Sequence, residues 1–126
     1  MNGRILLACS RYCALAAVGL AIGEAVINWG HWQYAPLWII DYVIAAWLVY
    51  GFYKTQSGGS LHTLMNAWVF TAGIFYIAFF VSLDPGLKTC MQTDPLLLGL
   101  IGFMLCVSIG GFLCCAFIRP QPAINR

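Results

Sequence analysis

Charge is what this sequence has least of. Its 126 residues include 6 Lys+Arg and 4 Asp+Glu, so 8% of side chains are charged while 62% are hydrophobic. A soluble domain carries about a quarter charged residues, enough to cover an apolar core with a polar face. Mean hydropathy is +0.85, and this chain has no such cover to offer. Lipid is then the expected solvent. A formal net charge of +2, with no clustering of basic residues, excludes nucleic acid as a partner. The sequence also lacks Cys-x-x-Cys, which leaves a quinone-reducing thiol relay without support. Only two histidines exist, His31 and His62, and they lie far apart, so a 2-His-1-carboxylate iron centre is not available.

What is present is a set of four apolar runs. A membrane-spanning helix needs roughly 20 apolar residues at 1.5 Å rise. The runs predict helices at about 12–29, 37–53, 61–83 and 95–118, with an earlier start for the first left open. The expected fold is all-α and integral to a membrane: an antiparallel, up-down-up-down four-helix transmembrane bundle, forming a single transmembrane domain over residues 1–126. Pro36 and Pro95 suit helix starts, where the missing N–H has no partner to lose. Lys54-Thr-Gln-Ser-Gly-Gly-Ser60 reads as a flexible connector, Ser60 as an N-cap, and Asp84-Pro85-Gly86 as a turn. Trp29, Trp32, Tyr34 and Trp38 form an aromatic belt.

Basic residues set the orientation. Arg4 and Arg11 precede the first helix, Lys54 follows the second, and Arg119 and Arg126 follow the fourth, whereas Lys88 alone falls on the other side. Both termini are expected in the cytoplasm of a plasma membrane of the bacterial inner-membrane type. Arg11 is expected to reach the inner headgroups. A competing reading makes the start a cleaved signal peptide, with Gly23-Glu24-Ala25 as the cleavage site.

Helices in lipid associate through close packing and hydrogen bonds. Ala16, Gly19 and Gly23 share one face of the first helix, and Gly102, Cys106, Gly110 and Cys114 share one face of the fourth. These grooves predict packing of the first helix on the last, with a dimer seam as the alternative. The six cysteines are read as small apolar fillers. A soft-metal site joining Cys9 and Cys13 to Cys114 and Cys115 is the competing reading. The aromatics of the third helix, Trp68, Phe70, Phe75, Tyr76, Phe79 and Phe80, are spread all round it and are expected to meet lipid or neighbouring helices.

The polar exceptions carry the functional reading. Glu24 and Asp41 fall inside apolar runs at matched depth near the outer side, where a charge is costly and needs a partner or a task. Asn28 and His31 stand close enough in sequence to join them. Two carboxyls in low dielectric cannot both ionise cheaply, so the group is a candidate proton or cation site. The structural alternative is a polar link that fixes helix register for about 1 kcal/mol. His31 and His62 lie roughly a membrane thickness apart, which excludes a bis-His haem within one chain. His62, with Asn66 four residues on, is expected to cap the inner end of the third helix. No metal and no cofactor are expected.

An acidic residue in the first helix of a four-span chain is similar to the small multidrug resistance transporters. The likeness rests on Glu24 within Ala17–Val26 and on overall size, and it implies proton-coupled transport. The pronounced charge bias and Asp41 in the second helix depart from that family. The expected role is a non-catalytic accessory or interaction subunit of a membrane assembly. The second reading is a small proton- or cation-coupled transporter or channel using Glu24 and Asp41. The third is a membrane enzyme with Glu24, His31 and Asp41 around a metal near the outer face. Expected partners are the bilayer and either a protein of a membrane complex or further copies of the chain.

Overall fold

The computed structural model describes residues 3–27, 35–84 and 95–118, apart from the side chains at 24, 27 and 35–38. These residues form four α-helices: α1 (Gly3–Ile27), α2 (Ala35–Gln56), α3 (His62–Leu83) and α4 (Pro95–Ala116). Three stretches are long and apolar enough to cross a membrane: Gly3–Gly23, His62–Leu83 and Pro95–Ala116. Residues 39–56, the part of α2 with described side chains, fall outside that set, since they include the polar ending Lys54-Thr55-Gln56.

Helix α1 begins well before residue 12. Its first turns are rich in Leu, Ala and Arg, which favour helix, and hold no proline. Arg11 does not mark a boundary because its charge is bonded inside the protein. Its Nε donates to Thr55 Oγ1 at 3.2 Å and its Nη2 donates to the Thr55 carbonyl. These bonds tie α1 to the last turn of α2, where a cation also suits the helix dipole.

The connector after α2 is an ordered turn, not a loose linker. Gly58 has φ +77, a left-handed backbone that glycine alone adopts freely, and the Gly59 N–H donates to the Lys54 carbonyl at 2.9 Å. That is the long bond of a Schellman end. Lys54 itself lies over the Tyr50 ring, 5.3 Å from its centroid, and donates to the Tyr50 hydroxyl at 3.3 Å. At the start of α3, Leu61 occupies the cap position with helical φ and ψ and makes no side-chain cap. The Ser60 hydroxyl accepts the His62 N–H at 3.2 Å, so it satisfies an orphan donor from the position before the cap. The His62 side chain does not supply the expected cap.

The helices form a ring. Each packs on its neighbours in sequence and α1 closes on α4, while no α1–α3 or α2–α4 backbone approach occurs among the described residues. The core is built from Ala14, Ala17, Ile44, Leu48, Leu64, Ala67, Trp68, Phe75, Ile101 and Met104. Two close approaches are set by glycine. A methyl at Gly51 would stand 2.9 Å from the Leu64 Cα, and one at Gly111 would stand 2.3 Å from the nearest Trp68 ring atom.

The expected α1–α4 packing is present, but through other residues. Ala14, Ala17, Ala21 and Ala25 are the buried stripe of α1, and Ile101, Met104, Ser108, Gly111 and Cys115 that of α4. Ala16 and Gly19 are exposed, and methyls at Gly19, Gly23 or Gly110 would meet nothing within 4 Å. Of the glycines in the proposed grooves Gly102 alone is in close contact, and with α3: the Phe79 ring is 3.1 Å from its would-be Cβ. Both stripes of α1 are made of small residues, so size alone does not choose between them.

Candidate functional site

The outer acidic group lies largely outside the described residues. Glu24 belongs by its backbone to the end of α1, immediately after the apolar stretch Gly3–Gly23, and its side chain is not described. Asn28 and His31 are outside the described residues altogether. Asp41 is half-buried in the second turn of α2 and is engaged in an interaction.

The polar centre within the described bundle lies at the opposite end, around the dipeptide Ser10-Arg11. Ser10 is fully buried in α1. Trp68 Nε1 donates to its Oγ at 3.0 Å, Cys115 Sγ lies 3.0 Å from the same oxygen, and the Gly111 carbonyl is 3.5 Å away. A serine hydroxyl has one proton and two lone pairs. One assignment satisfies every group: Trp68 and the Cys115 thiol each donate to Ser10, and Ser10 donates to the Gly111 carbonyl. Ser10 therefore joins α1 to α3 and α4, while the adjacent Arg11 joins α1 to α2 through Thr55. Two consecutive side chains bind all four helices at one level.

Local sequence explains why the node forms there. Trp68 needs a partner for its N–H when buried, and it crosses the ring to reach Ser10 because Gly111 leaves room for the indole on α4. Apart from Thr55, which accepts Arg11, the other buried hydroxyls close on their own helices alone. Thr71 Oγ1 donates to the Ala67 carbonyl at 2.7 Å, Ser82 to Ala78 at 2.7 Å and Ser108 to Met104 at 2.5 Å. Such back-bonding removes a polar group from lipid or core without linking helices. Ser10 differs from these three in bonding outward to other helices.

This node was not singled out by sequence reasoning. Two signals pointed to it: a serine beside an arginine inside an apolar run, and a tryptophan more than a turn inside α3, away from the aromatic belt. The reading of cysteine as buried filler holds for Cys115 alone among the described residues, since Cys9 and Cys106 are exposed and Cys13 and Cys114 half-buried. The aromatics of α3 divide as expected between neighbours and the outer surface. Phe70 packs on Trp47 with centroids 5.5 Å apart, and Tyr76 on Phe80 at 4.7 Å. Among the described residues no group of three or more His, Cys, Asp or Glu is arranged to hold a metal.

The node can bear load between helices, and its groups are consumed by one another. It offers no nucleophile paired with a base. No known protein family matches this chain, and no curated protein or solved structure is similar to it.

Proposed function

We propose that the chain is a multi-pass protein of the bacterial inner membrane, an antiparallel up-down-up-down bundle with both termini cytoplasmic, serving as a non-catalytic accessory subunit of a membrane assembly. The pairing of Ser10 with Cys115, Trp68 with Gly111, Phe79 with Gly102 and Gly51 with Leu64 supports alternating helix directions. Helix α2 is the fourth crossing: it lies between α1 and α3, and its 22 residues extend about 33 Å at helical rise, the thickness of the hydrocarbon core. Arg4, Arg11 and Lys54 gather at the end that faces the cytoplasm.

The observation that carries the accessory role is the outward face of α1. Ala16 and Gly19 turn away from the bundle, Gly23 one turn on is half-buried, and a methyl at Gly19 or Gly23 would meet nothing within 4 Å. Small residues at this spacing let a second helix approach closely, which is how lipid-embedded helices gain packing energy. The internal polar groups meanwhile hold the bundle together and leave its outer faces to a partner. Purification under mild detergent tests this. A stoichiometric partner is expected with the wild-type chain and is lost from Gly19→Leu/Gly23→Leu, which still folds. A lone monomer from both would end the proposal.

The second reading, proton- or cation-coupled transport, draws on Asp41, half-buried on a helix that packs against α1. It requires Glu24→Gln to abolish flux in vesicles while insertion is unchanged. Equal flux in the variant and the wild type removes it.

A further inference from the structure

Arg11 carries a full positive charge at the α1–α2 seam, where it is half-buried. Its bonds to Thr55 engage one edge of the guanidinium. The buried Thr55 hydroxyl donates its only proton to the Phe52 carbonyl at 2.8 Å, so toward Arg11 it can only accept. It takes the Nε–H at 3.2 Å, and the Thr55 carbonyl takes an Nη2–H. Nε and Nη2 make up the side-on edge of the group. Those two bonds leave the end-on edge, an N–H of Nη1 beside the second N–H of Nη2. Such a fork matches two oxygens of a phosphate or carboxylate. Both Thr55 acceptors are uncharged, so they orient the charge without neutralising it.

The described acids lie elsewhere. Asp41 stands in the second turn of α2, about 21 Å from Thr55 at helical rise, and Asp84 follows the far end of α3. The carbonyls that end α2 have donors of their own: Tyr53 accepts the Ser57 N–H at 3.1 Å, and Lys54 accepts the Gly59 N–H at 2.9 Å. The level of Arg11 is informative as well. Thr55 is next to the last residue of α2, and Ser10 meets Cys115, next to the last residue of α4. Helices α2 and α4 therefore stop beside Arg11, and exposed Tyr12 and Tyr53 stand near it. Interfacial tyrosines mark the depth at which acyl chains give way to headgroups.

We propose that the end-on edge of Arg11 holds the phosphate of one anionic phospholipid in a fixed site on the α1–α2 seam. The site rests on the reading that the chain crosses a bilayer with this end at a headgroup surface. Thr55 fixes the guanidinium before the lipid arrives, so little side-chain freedom is lost on binding. The net negative charge of the lipid offsets Arg11. Its acyl chains lie along the apolar flank below, where Leu15 and Ile22 continue the Arg11 side of α1 at helical spacing and are exposed.

The test uses the full chain in mild detergent, titrated separately with phosphatidylglycerol and phosphatidylcholine, with bound lipid counted by native mass spectrometry. One tightly held phosphatidylglycerol per chain is expected, with phosphatidylcholine about tenfold weaker. Equal binding of the two lipids overturns the site. Millimolar inorganic phosphate should not displace the lipid; full displacement would make this a site for a free anion and overturn the lipid assignment. These arms need only the wild type. Arg11→Gln should weaken phosphatidylglycerol about tenfold, as loss of a charge-assisted fork does. Lys54→Gln removes the same charge from the same end, but its ammonium is engaged with Tyr50, and the affinity should hold. Equal losses in the two variants would show diffuse attraction, and no loss in Arg11→Gln would put the lipid elsewhere; either result overturns the site. Maleimide labelling of Ser57→Cys and Asp84→Cys in cells reads the bilayer crossing independently. Absent lipid selectivity with opposite-side labelling refutes the site alone, whereas same-side labelling refutes the crossing on which it rests.

Discussion

Ser10 is a small side chain with an outsized reach, touching α3 and α4 at once. Its removal should cost more than its size suggests. Ser10→Ala leaves the buried Trp68 N–H with no acceptor, a penalty of about 1–3 kcal/mol. Trp68→Phe removes the donor together with the bond and should cost less on the polar account, though it gives up indole volume. The double variant should then be more stable than the two single losses added together. Thermal unfolding in one detergent measures all three; strict additivity would mean that the hydrogen bond contributes nothing. Gly111→Ala is a steric counterpart. The new methyl would press to 2.3 Å on the indole ring, which cannot bend aside as a flexible chain end does. Overpacking of this kind costs about 1–3 kcal/mol. Gly19→Ala, with open space around it, should leave the midpoint unchanged.

Helices were legible in this sequence and their faces were not. The existence of four helices followed from the scarcity of charge, which left each apolar run little choice but to satisfy its backbone internally. The faces depend on periodicity, and these helices are apolar all round. In α1, Ala14, Ala17, Ala21 and Ala25 offer the same small-residue spacing as Ala16, Gly19 and Gly23, and only the neighbouring helices decide between them. The partner of Arg11 is hidden for a related reason: the sequence does not reveal that Thr55 will stand opposite it. That pairing makes a prediction for α2. Arg11→Gln removes a charged donor from the last turn, and hydrogen exchange at residues 52–56 should accelerate. Global stability should fall by about 1 kcal/mol. Exchange indistinguishable from wild type would mean that water or lipid replaces the bond without loss. Gly58→Ala acts on the same turn by forcing a left-handed backbone on a residue with a Cβ, at a cost of about 1 kcal/mol.

At the scale of the molecule, the ring of helices concentrates its described inter-helix polar bonds at one end, around Ser10 and Arg11, and leaves its flanks apolar. Exposed Tyr12, Tyr53 and Phe117 lie near that same end, as interfacial aromatics do in a bilayer. A carboxyl in an apolar run is rare, and Asp41 is itself engaged; Ser10 and Trp68, both uncharged, supply a bond that crosses the ring. Orientation remains the property on which every larger claim turns, and α3 gives the cleanest handle. Its 22 residues run from the turn after α2 to Asp84, about 33 Å at helical rise, so its two ends should face opposite compartments. Ser57 and Asp84 are both exposed and flank it. In a Cys90→Ser background, Asp84→Cys should react with a membrane-impermeant maleimide from the outside of intact cells. Ser57→Cys should react only after the membrane is opened. The reverse pattern would invert the molecule and set its basic end outside, against the distribution of Arg4, Arg11 and Lys54. Labelling of both positions from the same side would mean that α3 does not cross at all, and the four-span bundle would have to be abandoned.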